Sequence, residues 1–454
     1  MKKRSKREED FTIKNPHAAG IDIGSSVHYV AVSENLDSQP IREFGANTED
    51  LVLIVDWLKA LGITTVAMES TGIYWIPLYD MLSSKGIEVC LVNARHFKNV
   101  SGRKTDVSDC EWLRKLHTFG LLNASFIPDE LTRELRIYVR QRESMETLKA
   151  KDLTKIGTAL HSMNIKLHNI VSSLEGETSM SILRSIVGGE HSPEALVLLH
   201  WRKQMKASID DAKRSLAGNY KEENLFVLRQ ALSSYDFHKS QMLECESMIE
   251  KVVKQMSSQS DKSVREEIKL EVVGDKKKRK PRKNEYHFDA VEDLKKVTGV
   301  DLTAIDGFGV NTVLALLAET GTDMSKFKTA GHFCSWLRLC PNPSISGGKL
   351  LGHRKSTSSS RAAKAFRLAA QSLHSNKGHL GHKFRAIAYK KGTGVAIKAI
   401  AHKLAVIYYT MLRDGQEYKK EDMEALQRKN ELAMVKNLEN KAKKLGFNIV
   451  KVAA

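Results

Sequence analysis

The chain runs to 454 residues, 41% of them hydrophobic, with a formal net charge of +18 from 72 Lys and Arg against 54 Asp and Glu. That length holds two or three domains and at least one sizeable core, and the surplus favours a polyanionic partner, since neutralising phosphates with release of counterions is its most direct use; charge carried only for solubility is the plainer alternative. Five cysteines without a CxxC pair or His/Cys zinc spacing argue against a disulfide framework and for a reducing compartment, and no apolar run approaches a membrane span, so the expectation is a cytoplasmic protein with no membrane partner.

Residues 1–16 read as a disordered basic arm. Order begins at Ala18, where Ala19-Gly20-Ile21-Asp22-Ile23-Gly24 reads as a buried strand breaking at Gly24. Val27 to Val32 alternates as a second strand and Ile41 to Phe44 is a short third. Thr48 is the expected N-cap of a helix with Leu51, Ile54, Val55, Leu58 and Leu61 as its apolar stripe. Thr64 to Met68 is a β-branched strand ending at Glu69, Ile73 to Ser84 a helix, Ile87 to Val92 a strand, and Asp106 to Phe119 a helix. Three strands followed by alternating helix and strand is the pattern of a ribonuclease H-like α/β domain.

From Leu131 to Leu174 charged, apolar-periodic sequence without proline predicts a long helix. Leu131, Leu135, Tyr138, Met145 and Leu148 are roughly heptad-spaced, which suits either a coiled-coil arm or a helix packed within its own chain. A second helical stretch runs from Pro193 to about Val253, and the polar, Lys/Arg-rich Ser257 to Lys283 reads as a linker. The expected domains are the arm at 1–16, an α/β domain at 17–127, a helical coiled-coil region at 128–256, a basic linker at 257–288, a mostly α-helical domain at 289–413 and a charged helical tail at 414–454.

Four acids stand out. Asp22 lies mid-strand between core-facing isoleucines, where a carboxylate is costly unless its charge is compensated. Glu69 ends a second apolar strand of the same expected sheet. Asp106 and Asp109 open a helix at i and i+3, which puts both on one face. Converging carboxylates repel one another unless cations hold them, and hard divalent ions prefer such oxygen ligands. Each alone has a plain explanation: Asp106 as an N-cap, Glu69 as a solvated strand end.

Taken together, Gly20-Ile21-Asp22-Ile23-Gly24, Met68-Glu69-Ser70-Thr71-Gly72 and Lys104-Thr105-Asp106-Val107-Ser108-Asp109 resemble the DEDD domain of insertion sequence 110 family transposases, which is similar to the junction resolvase RuvC. The resemblance implies metal binding, by Mg²⁺ or Mn²⁺, at Asp22, Glu69, Asp106 and Asp109. Asn93 fits the family's pattern before the basic loop His96 to Lys104, whose Arg103 and Lys104 are suited to phosphate.

Further on, Ile305-Asp306-Gly307-Phe308-Gly309-Val310 precedes an apolar helix. Gly307 and Gly309 there would let backbone amides approach a phosphate, as helix-hairpin-helix modules do; a plain turn between helices is the alternative. Pro341-Asn342-Pro343-Ser344-Ile345-Ser346-Gly347-Gly348-Lys349, followed by His353, Arg354 and Lys355, reads as a polar, flexible loop with Ser346 unobstructed. The family's C-terminal domain carries a Gly-x-Gly turn, a Trp-Leu-Gly-Leu-x-Pro-like stretch and a serine-glycine motif. Here the stretch is Trp336-Leu337-Arg338-Leu339-Cys340-Pro341, with arginine in place of the small residue. The resemblance places the nucleophile at Ser346, with Ser344 as the other register, and Lys349, Arg354 and Lys355 on nucleic acid.

What the resemblance implies is a DNA transposase or recombinase of an insertion sequence, acting in a bacterial or archaeal cytoplasm at the nucleoid. The acids would bind metal around the scissile phosphate, and Ser346 would form a phosphoserine intermediate. An element-encoded non-coding RNA would guide the enzyme, and a homodimer or tetramer would hold two duplexes. Two other classes compete. A metal-dependent junction resolvase or nuclease would use the acids alone. An actin-like-fold kinase would share the Gly20 to Ser26 loop, but it needs a second Asp-x-Gly loop and an adenosine motif, neither of which is found in a suitable place.

Overall fold

The computed structural model describes residues 12–93, 106–202, 205–263, 284–341, 343–353 and 360–419, with parts of 435–447. Residues 1–11 of the basic arm, the loop with Arg103 and Lys104, residues 264–283, Arg354 and Lys355, and most of the tail lie outside them. The chain divides into two compact units, Met1–Ile127 and Pro128–Ala454.

In the first unit five strands form one mixed sheet: β1 Ala18–Ile23, β2 Val27–Ala31, β3 Ile41–Gly45, β4 Thr65–Glu69 and β5 Glu88–Val92. Their order is β3-β2-β1-β4-β5, with β1, β2 and β3 antiparallel and β4 and β5 parallel to β1. Helices α1 (Thr48–Ala60) and α2 (Trp75–Ser84) bury Leu51, Ile54, Leu58, Leu78 and Leu82 against Ile21, Ile23, Val66 and Met68 on one face of the sheet. Helix α3 (Asp106–Thr118) packs on β1 and β4, with Leu113 against Ala67. The expected elements are present with small shifts in their ends. Asn47 rather than Thr48 caps α1, its N–H donating to the Asp50 carboxylate at 3.1 Å. Helix α2 starts at Trp75, leaving Ile73 exposed before it.

The second unit is helical. Helix α4 (Glu130–Ser162) ends twelve residues short of the expected limit, and Asn164 turns the chain with a positive φ of 58°. Short helices follow: α5 Leu167–Ile170, α6 Glu177–Val187, α7 Pro193–His200 and α8 Ile209–Leu216. The stretch expected as one helix from Pro193 is thus α7, α8 and the long α9 (Glu222–Ser263), which runs on past Ser257. Helix α9 packs along α4 in the same chain. The buried stripe of α4 is Leu135, Val139, Arg142, Lys149, Asp152 and Ile156, so the middle of the seam is charged. Arg142 bonds Glu246 on α9 at 2.7 Å and the Asn284 carbonyl at 3.1 Å, and lies 4.1 Å from the Tyr286 ring centroid. Glu246 also accepts from the His287 N–H at 3.0 Å. Residues 284–288, expected as linker, are therefore docked onto the helical pair.

The remaining elements are α10 (Val291–Thr298), α11 (Val310–Thr320), α12 (Ala330–Trp336), a hairpin of β6 (Pro343–Ser346) and β7 (Lys349–His353), α13 (Arg361–Ser372), α14 (His379–Lys391) and α15 (Thr393–Asp414). Contrary to the expectation that no apolar run is of membrane-spanning length, α15 is long and apolar enough by length and composition. It is the central helix of this bundle: α12, α13 and α14 pack on it, and Ile400, Leu404 and Tyr408 are fully buried. Lys398, His402 and Lys403 interrupt its apolar surface.

Candidate functional site

The placement of two of the four acids follows from strand alternation. Ala19, Ile21 and Ile23 of β1 enter the core under α1 and α2, so Gly20 and Asp22 face the other side. On β4 Val66 and Met68 share that core, so Ala67 and Glu69 face with Asp22. The parallel register sets Gly20 beside Ala67 and Ile21 beside Met68, and the next step brings Asp22 beside Glu69. Neighbouring strands lie about 4.8 Å apart.

Helix α3 covers this second face and runs antiparallel to β1. At its far end the N–H groups of Lys14 and Asn15 donate to the Thr118 carbonyl at 2.9 and 3.0 Å, and Thr65 Oγ1 and His117 Nε2 are 2.8 Å apart. In the middle, Gly20 meets the backbone of Cys110 and Arg114 so closely that a methyl group would overlap the Cys110 carbonyl oxygen and the Arg114 nitrogen. The direction of travel puts the first turn of α3, with Asp106 and Asp109, toward the carboxyl ends of β1 and β4. Asp109 is half-buried; the Asp106 side chain lies outside the described residues.

Glu69 is buried and accepts a hydrogen bond from Thr71 Oγ1 at 3.0 Å. Asp22 is half-buried, and its negative charge is felt at Cys110, whose thiol burial pushes up to about 12 with Asp22 adding to the rise. Among the described residues no three His, Cys, Asp or Glu side chains converge closely enough to hold a metal ion; that set leaves out Asp106. Two contributions escape the sequence reading: the Thr71 hydroxyl at the carboxylate, and Gly20 as the place where α3 touches the sheet. The i+2 position after Glu69 and the glycine two residues before Asp22 were the available signals.

The serine motif forms a β-hairpin rather than a loop. Gly347 and Gly348 have φ of 54° and 75°, the two positive values a two-residue type I′ turn requires. Ser346 pairs with Lys349 across that turn, and both are exposed. Ser344 pairs with Gly352, is half-buried, and is separated from Ile345 by a bulge. Before the hairpin, Arg338 follows α12 with a φ of 58°, its N–H donating to the Ser335 carbonyl at 2.9 Å. The small residue of the family's pattern suits such a left-handed position; here arginine takes it.

In the glycine turn the two glycines differ. Gly307 has φ 86° and packs on α13, where a methyl would stand 2.8 Å from the Ala369 carbonyl oxygen. Gly309 is exposed at the N-cap of α11, and a methyl added there would meet nothing within 4 Å. Packing thus explains the first glycine, while the second leaves the helix start open.

These features coincide with the segments by which the chain can be placed. Residues 19–165 match the family model of the IS110 DEDD transposase domain, described as Transposase. Residues 301–384 match the model described as Transposase IS116/IS110/IS902 family, and the two together cover a little over half of the chain. The chain belongs to the IS110 family of transposases, enzymes that act on DNA. No curated protein matches it. The first match takes in the sheet, α3 and α4; the second takes in the glycine turn, the hairpin and α13.

Proposed function

We propose that this transposase recombines DNA through a ribonuclease H-like domain carrying Asp22, Glu69, Asp106 and Asp109 and a serine nucleophile, Ser346. The observation that carries the reading is the parallel register that pairs Ile21 with Met68, immediately before Asp22 and Glu69, on the sheet toward whose carboxyl end α3 brings its acidic first turn. The strand order β3-β2-β1-β4-β5 supports the fold assignment.

The donor set is all carboxylate oxygen, which fits a hard divalent cation rather than a soft one. Asp22, Glu69, Asp106 and Asp109 would hold Mg²⁺ or Mn²⁺, which when bound supplies polarisation of the scissile phosphate. Thr71 orients Glu69 by its hydrogen bond. Ser346 Oγ attacks phosphorus and the bridging oxygen leaves with its strand, giving a phosphoserine. A hydroxyl of the exchanged strand then attacks the same phosphorus and returns Ser346, so the phosphodiester count is unchanged. Gly347 and Gly348 keep that serine clear of side-chain bulk. Gly309, Lys349, Arg354, Lys355, Arg103 and Lys104 would contact nucleic acid. The +18 charge suits an element-encoded guide RNA as well as DNA, and a dimer or tetramer would hold two duplexes.

The test is cleavage of DNA carrying the element's own junction, with its flanking non-coding RNA and Mg²⁺, comparing wild type with Ser346→Ala and Asp22→Ala. Protein covalently attached to DNA, lost in both variants, is the expected result. Cleavage that survives Ser346→Ala without an adduct would mean a hydrolytic nuclease.

A further inference from the structure

The net charge is not spread over the chain. Residues 324–413 contain seventeen Lys and Arg and no Asp or Glu, leaving fifty-five Lys and Arg against fifty-four Asp and Glu elsewhere. One stretch of ninety residues therefore carries all but one of the eighteen net charges. No carboxylate within it can neutralise its cations locally, although Arg361 reaches Glu143 on α4 at 2.7 Å.

Within that stretch α14 presents an unusual outer face. Tyr389 is 93% exposed. His382, Arg385, Ala386 and Tyr389 lie along one helical row, with Lys383 and Lys390 on the row beside it. All six are exposed, and Lys391 follows. The inner face is fixed: Leu380 and Phe384 are buried, and a methyl on Gly381 would collide with the Asn376 carbonyl. Arg385 ties the helix to the preceding turn, donating to the carbonyls of His374 and Asn376 at 3.0 and 2.6 Å. An aromatic ring is thus held out from a rigid, acid-free helix, with the small Ala386 one turn before it. The segment matched to the family model ends at residue 384, short of this row's outer half.

We infer that the outer face of α14 binds an unpaired stretch of DNA, with Tyr389 as a platform on which a base stacks and Lys383, Lys390 and Lys391 on the flanking phosphates. The inference rests on the reading of the chain as a DNA recombinase, which must part a duplex to exchange its strands. Exposed aromatics interleaved with cations are how single strands are held without base-specific hydrogen bonds. In a duplex the faces of the bases are already stacked, so the ring has nothing to cover. A second copy of the chain is a poor occupant, because two such faces repel.

Fluorescence anisotropy on the full-length protein tests this, using a labelled single-stranded DNA, its duplex and the RNA of the same sequence. Tyr389→Ala should weaken single-strand binding about tenfold and duplex binding less than about twofold, with an unchanged melting temperature. Tyr389→Trp should restore the single-strand affinity. Lys390→Gln with Lys391→Gln should weaken both forms and flatten their salt dependence. Equal losses on single strand and duplex, no loss on either, failure of the Trp variant to rescue, or a Tyr389 dependence seen with RNA alone would each overturn the inference. Wild type that binds DNA without regard to Tyr389 leaves the recombinase reading standing; wild type that binds no nucleic acid removes both.

Discussion

The candidate acids and the candidate serine are built in opposite ways. Asp22 and Glu69 sit on adjacent parallel strands whose other face is a filled core, and α3 is pressed against Gly20 two residues away. Nothing there can shift without moving the sheet. Ser346 sits at the last paired position of a two-stranded hairpin, with Ile345 and Leu351 exposed at 63% and 70% beside it. A two-stranded hairpin has little stability of its own. The contrast teaches a division of labour. On the proposed mechanism, the groups that would fix a phosphate stand on a sheet with a filled core, while the serine that would bond to DNA stands on an exposed hairpin able to follow its substrate.

The largest effects separate the two by what each substitution leaves intact. Ser346→Ala should abolish the covalent adduct and lower strand cleavage by at least about 10³-fold, with the melting temperature unchanged because the side chain is exposed. Asp22→Asn should cause a comparable loss. The two variants should part company in a thermal melt with and without Mg²⁺. A metal that binds only the folded state raises the melting temperature; Ser346→Ala should keep that rise and Asp22→Asn should lose it. If both keep it, the acids do not hold the ion.

Next in size is the frame itself. Gly20→Ala introduces a methyl where the Cys110 carbonyl oxygen and the Arg114 nitrogen already stand, and both are helix backbone that cannot rotate away. The expected cost is about 3 kcal/mol or more, at the upper end for overpacking, read as a lowered melting temperature and lost cleavage together. An unaltered melt would show that α3 is not held against β1 as the contact implies.

Much of this frame was legible in the sequence, because buried strands announce themselves. The isoleucines around Asp22 and the β-branched run before Glu69 gave the sheet, its order of elements and the position of both acids. The helical unit was harder. Its long seam is charged at the centre, with Arg142, Lys149 and Asp152 buried, so of the heptad-spaced Leu131, Leu135, Tyr138, Met145 and Leu148 one, Leu135, is buried and the other four are half-buried. The partner that makes Arg142 tolerable, Glu246, is 104 residues away, and no local pattern reveals it. The hairpin was hidden for another reason. Its strands are four and five residues of mixed polarity, and its clearest signal, two adjacent glycines, is shared with flexible loops.

That turn offers a more moderate perturbation. Replacing Gly347 and Gly348 with alanine places side chains at two positive-φ positions, at roughly 1 kcal/mol each. Because the hairpin is peripheral, the loss should appear as slower adduct formation, about tenfold, and not as a lower melting temperature. A fall in melting temperature as large as that of Gly20→Ala would erase the distinction between frame and hairpin.

The smallest effect concerns Arg338, eight residues before Ser346. Its φ of 58° places an L side chain in the left-handed region, at a cost of about 1–2 kcal/mol that glycine does not bear. Arg338→Gly relieves that strain but adds freedom to the unfolded chain, worth about 0.5–1 kcal/mol in the opposite sense. The net expectation is a gain of about 0.5–1 kcal/mol, seen as a rise of roughly 1–3 °C. The residue is exposed on a stretch without acids, so the same variant should lose DNA affinity while gaining stability. That combination would mean the strained arginine is kept for its charge. A gain in stability with unchanged affinity would leave the arginine without a role in binding, and a loss of stability would mean that its contacts in the fold outweigh the strain of its backbone.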